Sequence, residues 1–290
     1  MKNPLPSFQS HKPLKEVSTF GIGGPAKLFT EVFEIEQMQA VLAHAHSLSL
    51  PFFILGKGSN CLFDDRGFDG LVIHNKISYL KIEGCEVDVG SGFSFSMLGL
   101  RTAKQGLAGL EFASGIPATV GGAVFMNAGA NGQEACQTLL EVGFVDPQGI
   151  FHTLTKDALE FSYRHSSLQN RKGAIVSAKF RLTESAAARE KQLSIIEYRT
   201  ETQPYGDRSI GCFFKNPVGK SAGALIEKTG LKGFAVGGAE VSTKHANFII
   251  NKEGALAGDV LILARQVQEK VKEATGIELE MEVRCIPYQI

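Results

Sequence analysis

The chain has 290 residues, 43% of them hydrophobic and 21% charged, with 30 lysines and arginines balanced by 30 aspartates and glutamates. That length divides into two or three lobes more readily than it fills one core, and the neutral balance excludes the global positive field of a nucleic-acid or anionic-membrane binder. No run approaches the ~20 apolar residues of a membrane span, the first residues lack the apolar core of a signal peptide, and five scattered cysteines, none in a Cys-x-x-Cys pair, suggest neither a disulfide framework nor a zinc site.

A soluble chain with free thiols in a reducing cytoplasm, holding no metal, is the expectation. The hydrophobic period switches between two and 3.6 along the chain, which predicts mixed α and β structure. AKLFTEVF (26–33) reads as a strand. EIEQMQAVLAHAHS (34–47) reads as a helix with Ile35, Met38, Val41, Leu42 and Ala45 on one face. Pro51 opens the strand FFIL, which runs into the glycine loop GKGSN (56–60). Strand, helix, strand and loop together resemble a small phosphate-cradling α/β lobe.

Short strands follow at GLVIH, YLKIE and CEVDVG, then a helix around 94–105. LLEVGFVD, IFHTLT and AIVSAKFRL are further strands, and DALEFSYRHS between the last two reads as a short helix opened by an Asp-x-x-Glu pair. A polar stretch at 184–203 closes this middle region. SAGALIEKTG (221–230) carries a serine cap and a glycine stop, and ALAGDVLILARQVQEKVKEATG (255–276) is a longer amphipathic helix. IELEMEVRC (277–285) alternates strictly, which predicts a half-buried strand with Glu278, Glu280 and Glu282 on its polar face.

Three segments place glycines where backbone N–H groups can approach an anion: FGIGG (20–24), GKGSN (56–60) and SGIPATVGGAVFMNAG (114–129). None is a Walker loop or a complete Rossmann fingerprint. The third has hardly any charge and reads as neither regular helix nor strand, so its buried backbone needs partners that a bound cofactor would supply.

STFGIGG, LGKGSN, GLEFASGIPATVGGAVFMNAGANG, YRHS, GCFFKNP, AGALIEKTGLKG, GGAEVSTKHANFIIN and LEMEVR occur in that order. Over residues 18 to 285 this set resembles the UDP-N-acetylenolpyruvoylglucosamine reductase family. The short distance from YRHS to GCFFKNP matches the compact second type of that family, which lacks a substrate-capping insertion. The resemblance implies an α+β flavoprotein of three domains. Residues 1–74 and 75–203 would be FAD-binding lobes of the vanillyl-alcohol-oxidase class, and 204–290 would be the substrate domain.

It further implies non-covalent FAD, NADPH as reductant, and UDP-N-acetylenolpyruvoylglucosamine as the substrate reduced to UDP-N-acetylmuramate for the cell wall. Hydride added to the enolpyruvyl terminus leaves negative charge at the adjacent carbon and its carboxylate, so the protein must supply a cation, a second stabilising group and a proton. By resemblance these are Arg164, Glu282 and Cys212. The flavin contacts carried over are Gly56, Gly58, Ser59, Asn60, Ser114, Gly115, Thr119, Gly121, Gly122, Asn127 and Ile175, and the substrate contacts are Tyr163, Lys215, Asn216 and Asn247.

Each has a plainer reading beside it. An arginine ending a short helix can satisfy the last carbonyls, and periodicity does not separate Glu282 from Glu278 or Glu280. Serine is the commoner residue at position 212 in the family, yet a thiol is mostly protonated at neutral pH and far more acidic than an alcohol. A regular strand through GCFFK would put Cys212 and Phe214 on one face and Lys215 on the other. Two other functions fit parts of the pattern: an alcohol-oxidising member of the same flavoprotein class, and a catalytically silent nucleotide-sugar binder. The sequence leaves the oligomeric state open, a monomer included.

Overall fold

In a computed structural model, residues 5–289 are described, and the chain forms two compact units, each assembled from separated segments. Among the described residues the first comprises 5–9, 28–57 and 70–199, and the second 10–27, 58–69 and 200–289.

The first unit is built on a five-stranded antiparallel sheet. Its order is Phe151–Thr155, Leu139–Val145, Ala174–Arg181, Glu86–Gly90, Leu80–Glu83. In Ala174–Arg181 alternation buries Ala178 and Phe180, and a register shift opposite Gly143–Phe144 brings Ile175 into the same core beside Val87, Val89 and Val142, to which the helix Phe95–Lys104 adds Phe95 and Leu98. A second core lies under the helix Ile35–Ser47, whose Met38, Val41, Leu42 and Ala45 are fully buried against Leu71 and Ile73. Phe52–Leu55 pairs in parallel with Phe68–Asn75, bringing Leu55 opposite His74.

His74 is one of the few buried titratable groups, 8% exposed, with its Nδ1 lying 3.2 Å from Glu31 Oε1. Burial pushes the imidazole down from 6.5 to about 4, with Lys76 adding to the shift and Glu31 opposing it. A depressed histidine stabilises the fold fully above the ordinary value, and that contribution disappears as the pH falls from 6.5 toward 4. His74→Gln is therefore expected to flatten the fall of Tm across that window, and an acid limb of unchanged steepness would refute the assignment.

The second unit packs the helices Ala222–Lys228 and Ala257–Thr275 on a sheet ordered Ser209–Cys212, Phe248–Asn251, Ala239–Val241, Ala235–Val236. Ser221 caps the first helix, its Oγ accepting from Ala224 N at 3.3 Å, and Gly276 closes the second at φ +70°. Arg284–Ile286 pairs in parallel with Cys61–Phe63.

Four local expectations are corrected. The predicted helix at DALEFSYRHS is a 3-10 turn, Lys156–Ala158, followed by a tight hairpin in which Phe161 pairs with Ser166 and Ser162 with His165. The polar stretch 184–203 contains a 15-residue helix, Ala188–Thr202, hidden because it buries only Ala188, Gln192 and Ile195 and so has no apolar stripe. Within SGIPATVGGAVFMNAG the residues Val120–Phe125 form a short α-helix despite two glycines. The alternating segment 277–285 is extended but becomes a strand only at Arg284–Ile286; before that it carries a single bridge, Met281 to Phe214.

Candidate active site

In the first unit the predicted flavin residues gather around the helix Val120–Phe125. Thr119 caps it, with Oγ1 accepting from Gly122 N at 3.2 Å. Gly56 lies against the same hydroxyl, since a Cβ there would sit 2.5 Å from Thr119 Oγ1. Gly121 donates to Ser91 O at 2.8 Å and leaves room for Ser91 Cβ, so its missing side chain is required by packing. Ser114 is fully buried and its hydroxyl has no hydrogen-bond partner. Such an orphan marks a place where a ligand atom completes the bonding.

Gly115, at φ +84°, donates to Ser96 Oγ at 2.8 Å and accepts from Arg199 Nη2 at 3.3 Å. Ile175 offers its carbonyl to Asn75 Nδ2 at 2.9 Å. Asn127 is 0% exposed and spends its amide on protein: Nδ2 donates to Glu134 Oε2 at 2.9 Å and Ser162 O at 3.0 Å, and Oδ1 accepts from Cys136 N at 3.1 Å.

Tyr163 and Arg164 form the two-residue turn of the hairpin 161–166. Arg164 is a non-glycine residue at φ +58°, a conformation that costs on the order of 1 kcal/mol and persists where surrounding contacts impose it. Those contacts are visible. Gln169 Nε2 donates to Arg164 O at 3.2 Å, Ser166 Oγ donates to Phe125 O at 2.7 Å, and Arg164 Nη2 reaches Gly129 O at 2.9 Å. The guanidinium carbon stands 4.7 Å from the centroid of the Tyr163 ring.

The second unit holds Gly58, Ser59, Asn60, Cys212, Lys215, Asn216, Asn247 and Glu282. The loop 56–60 leads into the strand Cys61–Phe63, so no helix terminus contributes there. At Gly58, with φ +67°, a Cβ would lie 2.5 Å from Val17 O. The glycine lets the turn at 17–19 approach, and Thr19 N donates to Gly58 O at 3.3 Å. A cleft of about 990 Å³ in this unit is lined by the glycine turn 21–24, Arg208 and Asn251, and by none of the predicted site residues.

GCFFK is not a regular strand. Ser209 pairs with Ile250 and Cys212 with Phe248, so three steps on one strand oppose two on the other, with Gly211 at φ +83°. This bulge re-aims the chain and buries both Phe213 and Phe214, leaving Cys212 half-buried at its edge. Asn247 then takes the place of a ladder neighbour: Oδ1 accepts from Phe214 N at 2.9 Å and Nδ2 donates to Phe214 O at 2.8 Å.

Antiparallel bonds continue to the C-terminal segment. Lys215 N donates to Glu280 O at 2.8 Å and Glu282 N donates to Phe213 O at 2.9 Å. Asn60 Nδ2 donates to Glu282 O at 3.3 Å, and Arg284 N donates to Asn60 O at 3.1 Å. Cys212, Asn60 and Glu282 are thus tied to one patch of backbone. Lys215 Nζ pairs with Glu280 Oε1 at 2.6 Å, and Asn216 Oδ1 accepts from Ala222 N at 2.9 Å at the start of a helix.

Some residues that hold this arrangement carry no sequence signal. Glu111 is 2% exposed, accepts from Gly109 N at 2.5 Å and lies 3.4 Å from Lys191 Nζ. Lys191 and Arg199 stand on the helix Ala188–Thr202, which braces the segment 109–115. Among the described residues no cluster of three or more metal-ligating side chains occurs, and no helix is long and apolar enough to cross a membrane.

Residues 203–286 match the C-terminal domain family of UDP-N-acetylenolpyruvoylglucosamine reductase, and 26–155 match an FAD binding domain family. The chain is 57% identical to the UDP-N-acetylenolpyruvoylglucosamine reductase of Protochlamydia amoebophila, over 98% of this chain and 95% of that one. It is 47% identical to the reductase of Chlamydia muridarum, over 100% of this chain and 98% of that one. Among solved structures it resembles the reductase of Thermus caldophilus with a TM-score of 0.83 and 35% identity, covering 97% of this chain and 99% of that one. The fold class is that of an FAD-binding domain of the expected class joined to this family's C-terminal domain.

Proposed function

The chain belongs to the UDP-N-acetylenolpyruvoylglucosamine reductase family, and we infer that it performs that family's reaction: reduction of the enolpyruvyl group of UDP-N-acetylenolpyruvoylglucosamine to give UDP-N-acetylmuramate for peptidoglycan synthesis. FAD and NADPH are its redox cofactors. The observation that carries this reading is full-length identity to curated reductases together with the matched FAD domain.

The residues present fit FAD. The Ser114 hydroxyl is buried without a hydrogen-bond partner, a polar atom whose bonding a ligand would complete, and Gly56 closes on Thr119. With Gly58, Ser59, Asn60, Gly115, Gly121, Gly122 and Ile175 these residues would hold the cofactor, while Asn127, its amide spent on protein, would support the neighbouring loop. Bound FAD supplies hydride chemistry, from NADPH to the terminal carbon of the enolpyruvyl group.

The remaining work falls to the side chains. Arg164 faces the enolpyruvyl carboxylate with a planar fork matched to two oxygens. Charge developing at the adjacent carbon and its carboxylate would be stabilised there and by Glu282, whose carboxyl can do so only in its neutral form, as a hydrogen-bond donor. Cys212 transfers its Sγ proton to that carbon, becoming a thiolate that is reprotonated from solvent. Tyr163, Lys215, Asn216 and Asn247 orient the UDP-sugar; for Asn247 this acts through the Phe214 backbone that its amide clamps.

Three lobes, 1–74, 75–203 and 204–290, are the functional division we propose, supported by the C-terminal family match beginning at residue 203. Five scattered cysteines without a Cys-x-x-Cys pair support a cytoplasmic location. The test is direct. Purified protein carries FAD, anaerobic NADPH bleaches it, and the enolpyruvyl substrate restores the oxidised spectrum with UDP-N-acetylmuramate formed. A protein without flavin, or one whose reduced flavin ignores the substrate, overturns the reading.

A further inference from the structure

We propose that Asn127 and Glu134 are positioning residues for Arg164, a clip that fixes the arginine's guanidinium rather than a contact to the cofactor. The inference rests on the reading of Arg164 as the substrate carboxylate's partner.

Its basis is how completely Asn127 is consumed. Both Nδ2 hydrogens go to protein oxygens, Glu134 Oε2 and Ser162 O, and Oδ1 takes the Cys136 N–H. At 0% exposure no side-chain donor remains for a flavin.

The partners of Asn127 lie on both sides of Arg164. Ser162 is the strand residue that enters the Tyr163–Arg164 turn. Glu134 is the register partner of Gly129, whose carbonyl accepts from Arg164 Nη2. Gly129 itself has no slack, because a Cβ there would lie 2.4 Å from Gln133 O and 2.9 Å from Glu134 Cγ. One amide therefore joins the hairpin that carries the arginine to the hairpin that receives it. The arginine's left-handed backbone is held in addition by Gln169. With both the backbone and the guanidinium anchored, the side chain is oriented before substrate arrives, which is the condition for strong transition-state stabilisation.

The chemistry of the clip sets the test. Asn127→Asp replaces the two-proton amide by a carboxyl that, even when it shares a proton with Glu134, leaves the Ser162 carbonyl without its donor, so it opens the clip. Glu134→Gln keeps an acceptor oxygen for Asn127 and leaves the clip closed. In Asn127→Asp with Glu134→Gln, the new glutamine N–H₂ donates to the new carboxylate and recovers part of the loss.

The holoenzymes are compared in four readouts: flavin retained per chain after gel filtration, Tm, anaerobic flavin reduction by NADPH, and reoxidation by UDP-N-acetylenolpyruvoylglucosamine. For Asn127→Asp we expect retained flavin, an unchanged NADPH step, and reoxidation slowed about 100-fold by misplacement of the guanidinium. In an Arg164→Ala background the same substitution should cost nothing further in reoxidation, the non-additivity of residues acting as one unit.

Loss of flavin in parallel with activity would make Asn127 a cofactor contact and overturn the proposal. An equal fall in both half-reactions would reduce it to general stability and overturn it too. If Asn127→Asp yields no folded protein, a full oxidative rate in Glu134→Ala, which removes the same acceptor, overturns the proposal instead. Undiminished reoxidation in Arg164→Ala alone would instead remove the arginine reading on which the clip depends, a separate and recognisable failure.

Discussion

Cys212→Ala is expected to leave the reduction of bound flavin by NADPH within about 2-fold of wild type while slowing reoxidation by the enolpyruvyl substrate by about 100- to 10,000-fold, the span attributed to a positioned general acid. The split follows from where a proton is needed. Hydride transfer from NADPH requires none from Cys212, whereas hydride delivery to the enolpyruvyl terminus leaves a carbanion-like centre that must be protonated. The fold supplies a reason for this cysteine to be the donor. The bulge at Gly211 sends Phe213 and Phe214 into the core and holds Cys212 half-buried at the sheet's end, next to the residue whose carbonyl accepts from Glu282 N. Three other cysteines have their thiols pushed up by burial, Cys61 to about 11, and Cys136 and Cys285 in the same direction. Cys212→Ser should keep a donor and much of the rate. Wild-type reoxidation by the alanine variant would make Cys212 a packing residue.

How far the sequence could be read depended on whether a physical signal was local. The helix Ile35–Ser47 was legible because its apolar spacing is the packing itself: Met38, Val41, Leu42 and Ala45 are all at 0% exposure. The glycines at 56 and 58 read in sequence as openings toward an anion, whereas the neighbours that exclude a side chain there, Thr119 and the Val17 carbonyl, are protein groups distant in sequence. DALEFSYRHS misled because an Asp-x-x-Glu pair looks like a helix cap, whereas the segment's fate is decided by non-local bonds from Ser166 and Gln169 to Phe125. The helix Ala188–Thr202 was invisible because it holds its place through Lys191 and Arg199 rather than through an apolar face. Strict alternation in IELEMEVRC predicts a half-buried strand, but alternation reports a two-sided environment, and bonds to Phe213, Lys215 and Asn60 supply one without a regular strand. Order and identity of motifs located the candidate site. The local geometry of Arg164 and Cys212, a left-handed turn and a bulge, depended on contacts that periodicity does not encode.

The three glutamates that periodicity could not separate are expected to separate in function. Glu282→Gln should slow reoxidation by the substrate by about 100-fold or more, as removal of one preorganised stabilising group does. Glu278→Gln and Glu280→Gln should stay within about 2-fold of wild type in the same rate, because exposed ion pairs contribute only about 0–1 kcal/mol. The structure gives each a different surrounding. Glu278 is 75% exposed and pairs with Lys272 at 3.1 Å, and Glu280 is 72% exposed and pairs with Lys215 at 2.6 Å. Glu282 is half-buried, donates its N–H to Phe213 O beside Cys212, and has its carbonyl fixed by Asn60. A side chain in that position can act on charge developing near Cys212 only if its backbone is held, so Asn60→Ala should reproduce part of the Glu282→Gln defect. Stopped-flow reoxidation of all four variants measures this in one series. If Glu280→Gln is as slow as Glu282→Gln, the loss comes from the segment's packing or from Lys215, and the assignment of Glu282 fails. If only Glu282→Gln and Asn60→Ala are slow, the carboxyl at 282 and the bond that holds it form one functional unit.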